Sequence, residues 1–203
     1  MEKERRLDKL RKNFISSVSH ELKTPLSLIL GYAEGLKENI ARDEDSRHYY
    51  CSVIADEAEK MDKLVKDLLD LSQIESGYFR LERTTFDLSF LLDDVALKFH
   101  SILREKRIRL DIDTAPSLLA YGDVLRIEQV VVNLLNNAIA HAENPHIIRI
   151  TAAAADKIRV SVYNTGGHIP PDSLGNLWLS FYKVDQARTR KHGGYGLGLS
   201  IVR

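Results

Sequence analysis

SSVSHELKTPLS, Ser16 to Ser27, decides how the rest of the chain is read. At about 100° per residue, Val18, Leu22 and Ile29 fall opposite His20, while Ser16, Ser17, Thr24, Ser27 and Gly31 lie within about 60° of it. One histidine therefore stands on the small-residue face of an amphipathic helix, away from the side that packs. A lone helical histidine is usually solvated or a satisfied core group. Its neighbours single this one out. Glu21 is adjacent and can orient or deprotonate the ring, and Thr24 sits one turn on along the same face. Pro25 removes the amide that would bond the Glu21 carbonyl, so a bend is expected just beyond His20.

Outward from this stretch the pattern is helical from Glu2 to about Ile40. Leu22, Leu26, Ile29, Ala33, Leu36 and Ile40 alternate four and three apart, the heptad rhythm of a bundle or coiled coil. Upstream, Leu10, Phe14, Val18, Leu22 and Leu26 follow at successive fours, a stutter that locally unwinds a supercoil and contains His20. ARDEDS, at Ala41 to Ser46, breaks the periodicity, and Asp45 or Ser46 can cap a second helix running to about Ser76. There Ile54, Met61 and Leu68 are spaced by sevens, as are Leu64 and Leu71, with part of a second seam at Val53, Val65 and Leu69. Such a hairpin buries too little surface alone, so a homodimer forming a four-helix bundle is expected.

Composition narrows the functional classes. The chain has 203 residues, 44% apolar and 29% charged, with 29 basic and 29 acidic side chains. That balance leaves no global field to draw it to nucleic acid or to an anionic membrane, and no partner of either kind is expected. The single cysteine, Cys51, rules out an intrachain disulfide and reads as a packing residue in a reducing compartment. No apolar run approaches the ~20 residues a membrane span needs, and EKERRLDKLRKN after Met1 lacks a signal-peptide core.

Gly77 ends the second helix, and beyond it heptads give way to alternating strands and shorter helices. A boundary is expected near Tyr78, giving domains 1–77 and 78–203 and an α+β fold overall. Phe79 to Arg83 reads as a strand, Leu88 to about Glu105 as a helix, and Ile108 to Asp113 and Leu118 to Tyr121 as strands. Asp123 to Ala142 reads as a helix. His146 to Ala154 and Lys157 to Asn164 form an antiparallel pair across the Asp156 turn. From Thr165 the chain is rich in Gly and Pro and ends in GGYGLGLSIVR, a loop feeding a helix start.

Three features of this half could carry chemistry. Asn133 and Asn137 share a helical face within VVVNLLNNAIA, where a buried amide needs a partner; they are either a satisfied buried network or oxygen ligands for a Mg²⁺ held mostly by water and phosphates. NTGGHIPP, from Asn164 to Pro171, follows a strand directly and has glycines for close approach of a planar ligand. Gly193, Gly194, Gly196 and Gly198 lead into a helix whose start would aim amides at phosphates.

Together, in this order, these motifs resemble the catalytic half of a sensor histidine kinase of the two-component type. SHELKTPLS resembles the H-box, with His20 as phospho-acceptor. NLLNNAIAHA resembles the N-box, NTGGHIP the first glycine box, LWLSFYKVD the F-box and GGYGLGLSIV the second glycine box. The resemblance implies a dimerisation and phosphotransfer hairpin followed by an α/β sandwich that binds ATP and Mg²⁺ under a mobile lid. By the same likeness, Asn133 and Asn137 would hold the metal. His141, Asn164, Gly166, Gly167, Ile169, Arg188, Gly194, Gly196, Leu197 and Gly198 would line the nucleotide site. His20, Glu21, Thr24 and Lys183 would serve catalysis. The phosphoryl group would pass to an aspartate on a response regulator receiver domain, and the ExxT pattern of Glu21 to Thr24 implies regulator phosphatase activity as well. A cytoplasmic location is implied, as part of a membrane-anchored parent.

Some positions depart from the family pattern. Asn164 stands where an aspartate usually accepts from the adenine amino group. Ala140 and His141 replace a lysine and a tyrosine, which shifts phosphate neutralisation to Lys183, Arg188, Arg190 or Lys191. Trp178 replaces a phenylalanine. The family continues past the position of Arg203 with further helix and a strand pair, so the domain is expected to be short at its C-terminal end. Two other functions remain: an ATP hydrolase of the same superfamily, disfavoured because the water-activating glutamate's seat is Asn133, whose amide takes no proton, and a non-catalytic nucleotide-binding scaffold.

Overall fold

The computed structural model describes residues 2–77, 80–184 and 195–202. The chain divides into two compact units, Met1–Ser72 and Gln73–Arg203. Among the described residues no helix is long and apolar enough to cross a membrane.

The first unit is built from a helical hairpin of α1, Glu2–Lys37, and α2, Glu44–Ser76, the last four residues of α2 falling in the second unit. α1 runs on through Pro25 without interruption. Pro25 is buried, and the Thr24 hydroxyl donates to the His20 carbonyl at 3.3 Å. Val18, Leu22 and Ile29 are half-buried while His20 and Thr24 are exposed, as the helical spacing requires. At the turn Gly35 has a specific purpose. A Cβ there would meet the Tyr50 ring at 2.7 Å, so glycine lets Tyr50 lie against α1, edge-on to Tyr32 with ring centroids 4.9 Å apart. The cap of α2 is Asp43, not Asp45 or Ser46. Its carboxylate accepts from the Ser46 amide and hydroxyl, both at 2.7 Å, which holds its pKa below the usual carboxylate value. Asp45 lies one residue inside the helix and cannot fold back in this way. Gly77 ends α2 in the left-handed region, with φ +68°.

The second unit sets helices on one face of a mixed sheet. Its elements are β1, Thr84–Asp87, α3, Leu88–Lys98, α4, His100–Glu105, β2, Arg109–Thr114, β3, Leu119–Gly122, α5, Val124–His141, β4, Ile147–Ala154, β5, Ile158–Asn164, and the short helices α6, Pro171–Leu174, and α7, Gly198–Val202. One sheet has the order β2-β4-β5, with β2 parallel and β5 antiparallel to β4. A smaller sheet pairs β1 with β3 antiparallel. Ile148, Ile150 and Ala152 alternate along β4 into a core with Leu91, Leu92 and Val95 of α3 and Val131, Leu135, Ala138 and Ile139 of α5. Each fully buried aliphatic side chain contributes about 1.5–3 kcal/mol, so this layer holds α5 in place.

Four of the expected elements differ in their bounds. The strand read at Phe79 to Arg83 lies later, at Thr84–Asp87; Arg80 to Arg83 are irregular, and Tyr78 and Phe79 lie outside the described residues. The Glu82 amide donates to the Asp123 carboxylate at 2.9 Å instead of to a strand partner. The helix read from Leu88 to Glu105 divides at Phe99, whose amide bonds the Ala96 carbonyl and whose half-buried ring packs on the core. Both short strands begin one residue later than read, at Arg109 and Leu119. Arg107 has φ +53°, and Ile108 is drawn back to the Leu103 carbonyl at 2.8 Å.

Candidate functional site

The site is built on the C-terminal half of α5. Asp123 caps this helix by accepting from the Arg126 amide at 3.2 Å, and the Glu82 amide and this cap hold its carboxyl below the ordinary range. Apolar residues at Val131, Leu135, Ala138 and Ile139 fix the helix against the sheet, which turns Asn133 and Asn137 away from the core. Asn133 is half-buried and Asn137 exposed, so the buried amide network is ruled out. Among the described residues neither side chain is hydrogen-bonded to another residue.

β5 supplies the second wall. Ile158, Val160, Val162 and Asn164 alternate toward the helix-covered face, so the period of two carries Asn164 to the sheet end where α5 terminates at His141. There Asn164 Nδ2 donates to the His141 carbonyl at 3.3 Å. Gly166 packs onto the same carbonyl, where a Cβ would overlap the oxygen; at this position only glycine fits. The loop is pinned by Thr165, whose hydroxyl donates to the Glu143 carbonyl at 2.7 Å and accepts from the Ile147 amide at 2.9 Å. Sequence reasoning passed over Thr165. Its signal was a hydroxyl residue directly between a strand end and two glycines.

The third wall joins the aromatic segment to the last glycines. The Phe181 amide donates to the Gly196 carbonyl at 2.9 Å. Gly196 has φ +76°, and a Cβ there would meet the backbone of Phe181 and Tyr182 at 3.0–3.1 Å. Leu197 is buried, and α7 starts at Gly198, where an added Cβ would lie 3.5 Å from Asn133 Oδ1. The glycine-box helix thus begins against the α5 amide.

The structure therefore brings together Asn164, Gly166 and His141 at the C-terminal end of α5, and Gly198, which follows Gly196 and Leu197, against Asn133 near the middle of that helix. Lys183 is half-buried two residues past Phe181. Gly167 has open space at its Cα, and Ile169 is exposed. Arg188, Arg190, Lys191, Gly193 and Gly194 lie outside the described residues. His20, Glu21 and Thr24 belong to the hairpin unit, where His20 is exposed and Glu21 half-buried.

A divalent cation fits the α5 face on chemical grounds. Two neutral amide oxygens one turn apart, with no side chain at Gly198 to crowd them, suit Mg²⁺ that draws its remaining oxygens from phosphate and water. Among the described residues no group of three or more His, Cys, Asp or Glu side chains forms an all-protein metal cage.

Two family models match the chain: the His Kinase A phospho-acceptor domain over residues 10–77, and the histidine kinase-, DNA gyrase B- and HSP90-like ATPase over residues 122–203. Sensor histidine kinase YclK of Bacillus subtilis is 35% identical over 98% of this chain and 42% of its own length. Among solved structures, the histidine kinase AdeS of Acinetobacter baumannii superposes with TM-score 0.73 at 25% identity, covering 90% of this chain and 83% of that one. The histidine kinase ThkA in complex with the response regulator protein TrrA gives TM-score 0.71 at 28% identity, over 88% of this chain and 53% of that one. The chain belongs to the sensor histidine kinases. It spans less than half the length of the curated relatives it matches.

Proposed function

We propose that this protein transfers the γ-phosphoryl group of ATP to His20 and then to an aspartate of a response regulator. The observation that carries this reading is the presentation of His20. It is exposed on a helix whose opposite face is packed, in a chain whose second unit matches the ATPase family. An imidazole nitrogen attacks the γ-phosphorus, the bond to the bridging oxygen breaks, and ADP leaves. Glu21 orients the ring and takes its proton. The phosphoramidate then loses its phosphoryl group to the regulator carboxylate, regenerating the imidazole. The complex of ThkA with TrrA supports a receiver domain as the partner.

Little covalent chemistry is asked of the catalytic unit, so positioning and charge neutralisation carry the rate. Asn164, Gly166, Gly167, Ile169 and His141 bind the base end of the nucleotide. The α7 start, with Gly194, Gly196, Leu197 and Gly198, and the cations Lys183 and Arg188 receive the phosphates. Asn133 and Asn137 would hold Mg²⁺, which when bound neutralises phosphate charge. The hairpin through Gly77 and the catalytic half from residue 78 serve the two halves of the reaction. The active form is a homodimer, and the segment is the cytoplasmic part of a membrane-anchored parent.

Incubation with γ-labelled ATP tests the assignment. Acid-labile, alkali-stable label is expected on the parent and none on His20→Gln, with dimerisation unchanged because His20 lies outside the packed seam. Free phosphate without protein label would identify a hydrolase, and neither product a scaffold.

A further inference from the structure

β2 lies at the edge of its sheet, in the order β2-β4-β5. The Arg109 amide donates to the His146 carbonyl at 2.9 Å, and the parallel register turns Asp111 and Asp113 toward β4 in the same way. In a planar trans peptide the N–H and C=O point opposite ways. The Leu110 and Ile112 amides and the Ile108 and Leu110 carbonyls therefore face the open edge. The Ile108 amide is used elsewhere, on the Leu103 carbonyl at 2.8 Å. Beside this edge, Leu97, His100 and Leu103 of α3 and α4 line an open groove of about 510 Å³ together with Ile108, Leu110 and Ile112.

Charges on an edge strand ordinarily repel a second strand. Here they match a copy of themselves. Ile108 to Ile112 reads IRLDI; turned antiparallel about Leu110, it sets Arg109 opposite Asp111, Ile108 opposite Ile112 and Leu110 opposite itself. The geometry points to a second copy of β2 as the occupant of this edge, so that the second units of two chains join antiparallel about Leu110 into one continuous sheet. The two Leu110 residues exchange a pair of hydrogen bonds, and each Ile112 amide reaches the other copy's Ile108 carbonyl, so the edge donors of both copies find acceptors. Arg109 and Asp111 then form non-hydrogen-bonded pairs, where opposite Cα atoms approach to about 4.5 Å. Arg109 already holds Asp111 of its own chain at 2.8 and 3.0 Å, and Arg149 stands 4.0 Å from the same carboxylate. Pairing gathers these groups into a cluster of alternating sign on the outer face, while the Leu110 side chains meet on the face of the groove. Arg107, with φ +53°, turns out of the strand, so the pairing ends at Ile108. This contact is separate from the hairpin seam and does not depend on the nucleotide assignment.

Cysteine trapping on the full chain tests the pairing. Two chains, both with Cys51→Ser, are co-expressed, one carrying Arg109→Cys and the other Asp111→Cys, and covalent dimer is read by non-reducing electrophoresis after mild oxidation. The two cysteines fall directly opposite, whereas like positions lie beyond the ~7 Å Cα separation a disulfide spans. The mixture is therefore expected to give at least about ten-fold more covalent dimer than either chain alone. Adding Asp111→Arg to the first chain sets it against Arg109 of the second and should lower the yield about three-fold. Adding Arg109→Asp to the second chain should then restore the yield, a rescue across chains that a folding defect would not give. A mixture without covalent dimer overturns the pairing and leaves the edge to an extended segment of another protein. Equal yields from the mixture and from each chain alone also overturn it, as the mark of random collision. Amide hydrogen exchange on the parent chain needs no variant. At high protein concentration Leu110 and Ile112 should be protected like Asp111, which is already in the ladder, and loop-like exchange at Leu110 and Ile112 at every concentration overturns the proposal.

Discussion

The residues of the hairpin site were legible because helical geometry alone sorts them. Val18, Leu22 and Ile29 face in and His20 and Thr24 face out, as about 100° per residue dictates. What spacing did not convey is how main-chain atoms are used. His141 was singled out for its side chain, whereas the contact to Asn164 is made by its carbonyl. At Thr24 the hydroxyl bonds the His20 carbonyl at 3.3 Å, a back-bond that is weak and easily exchanged for a water. Thr24→Ala is therefore expected to keep autophosphorylation within about two-fold while slowing dephosphorylation of a bound regulator at least ten-fold. The measurement is a time course on a receiver domain first phosphorylated by the parent protein. Parallel loss of both activities would make Thr24 a structural helix residue.

Element boundaries depended on single capping contacts. Asp43 rather than Asp45 or Ser46 starts α2 because its carboxylate reaches two donors on Ser46. The first strand slid to Thr84–Asp87 because Asp123 took the Glu82 amide. Along α2, Asp67 is half-buried on the face that also carries Leu64 and Leu71. Burial pushes its carboxyl pKa up, Lys63 opposes the shift, and Asp70 adds to it. A folded value above the unfolded one means the folded hairpin holds this proton more tightly. The associated stability is present below the unfolded pKa, about 3.9, and is lost as pH rises through the folded value. Asp67→Asn is thus expected to melt a few degrees above the parent at neutral pH, the gap narrowing toward pH 4. Circular dichroism melts on both proteins across that range check it, and an Asn variant no more stable at neutral pH would count against it.

At the scale of the molecule, apolar surface is left over on the hairpin. Ile15, Leu26 and Leu30 on α1 are 46–54% exposed, and Val65 and Leu69 on α2 are 45% and 58% exposed. By helical spacing, Leu26 and Leu30 lie roughly 60° and 100° from the packed seam, between it and the face of His20. α1 therefore carries three faces, one packed in the hairpin, one reactive and one apolar and uncovered. A second copy of the hairpin, the partner proposed above, would complete a four-helix bundle. Leu30→Glu with Leu69→Glu should leave the hairpin helical but convert a dimer to a monomer at micromolar concentration. Sedimentation velocity decides the point, and an undisturbed dimer would place its interface elsewhere.

By itself the sequence determined the hairpin, the face on which His20 stands, the α5 face of Asn133 and Asn137, and the β4–β5 pair, because period and local chemistry encode these directly. It could not determine that the amides of α5 turn from the core, since an apolar run looks the same whether one face or all faces are covered. Only the tertiary structure decided that Gly198 begins α7 against Asn133 and that Gly166 and Asn164 close on the carbonyl of His141. Those contacts join residues 65 and 23 to 25 positions apart in the chain. They depend on where the sheet ends relative to the helix packed on it, a relation that appears only once the core formed by β4, α3 and α5 has fixed both.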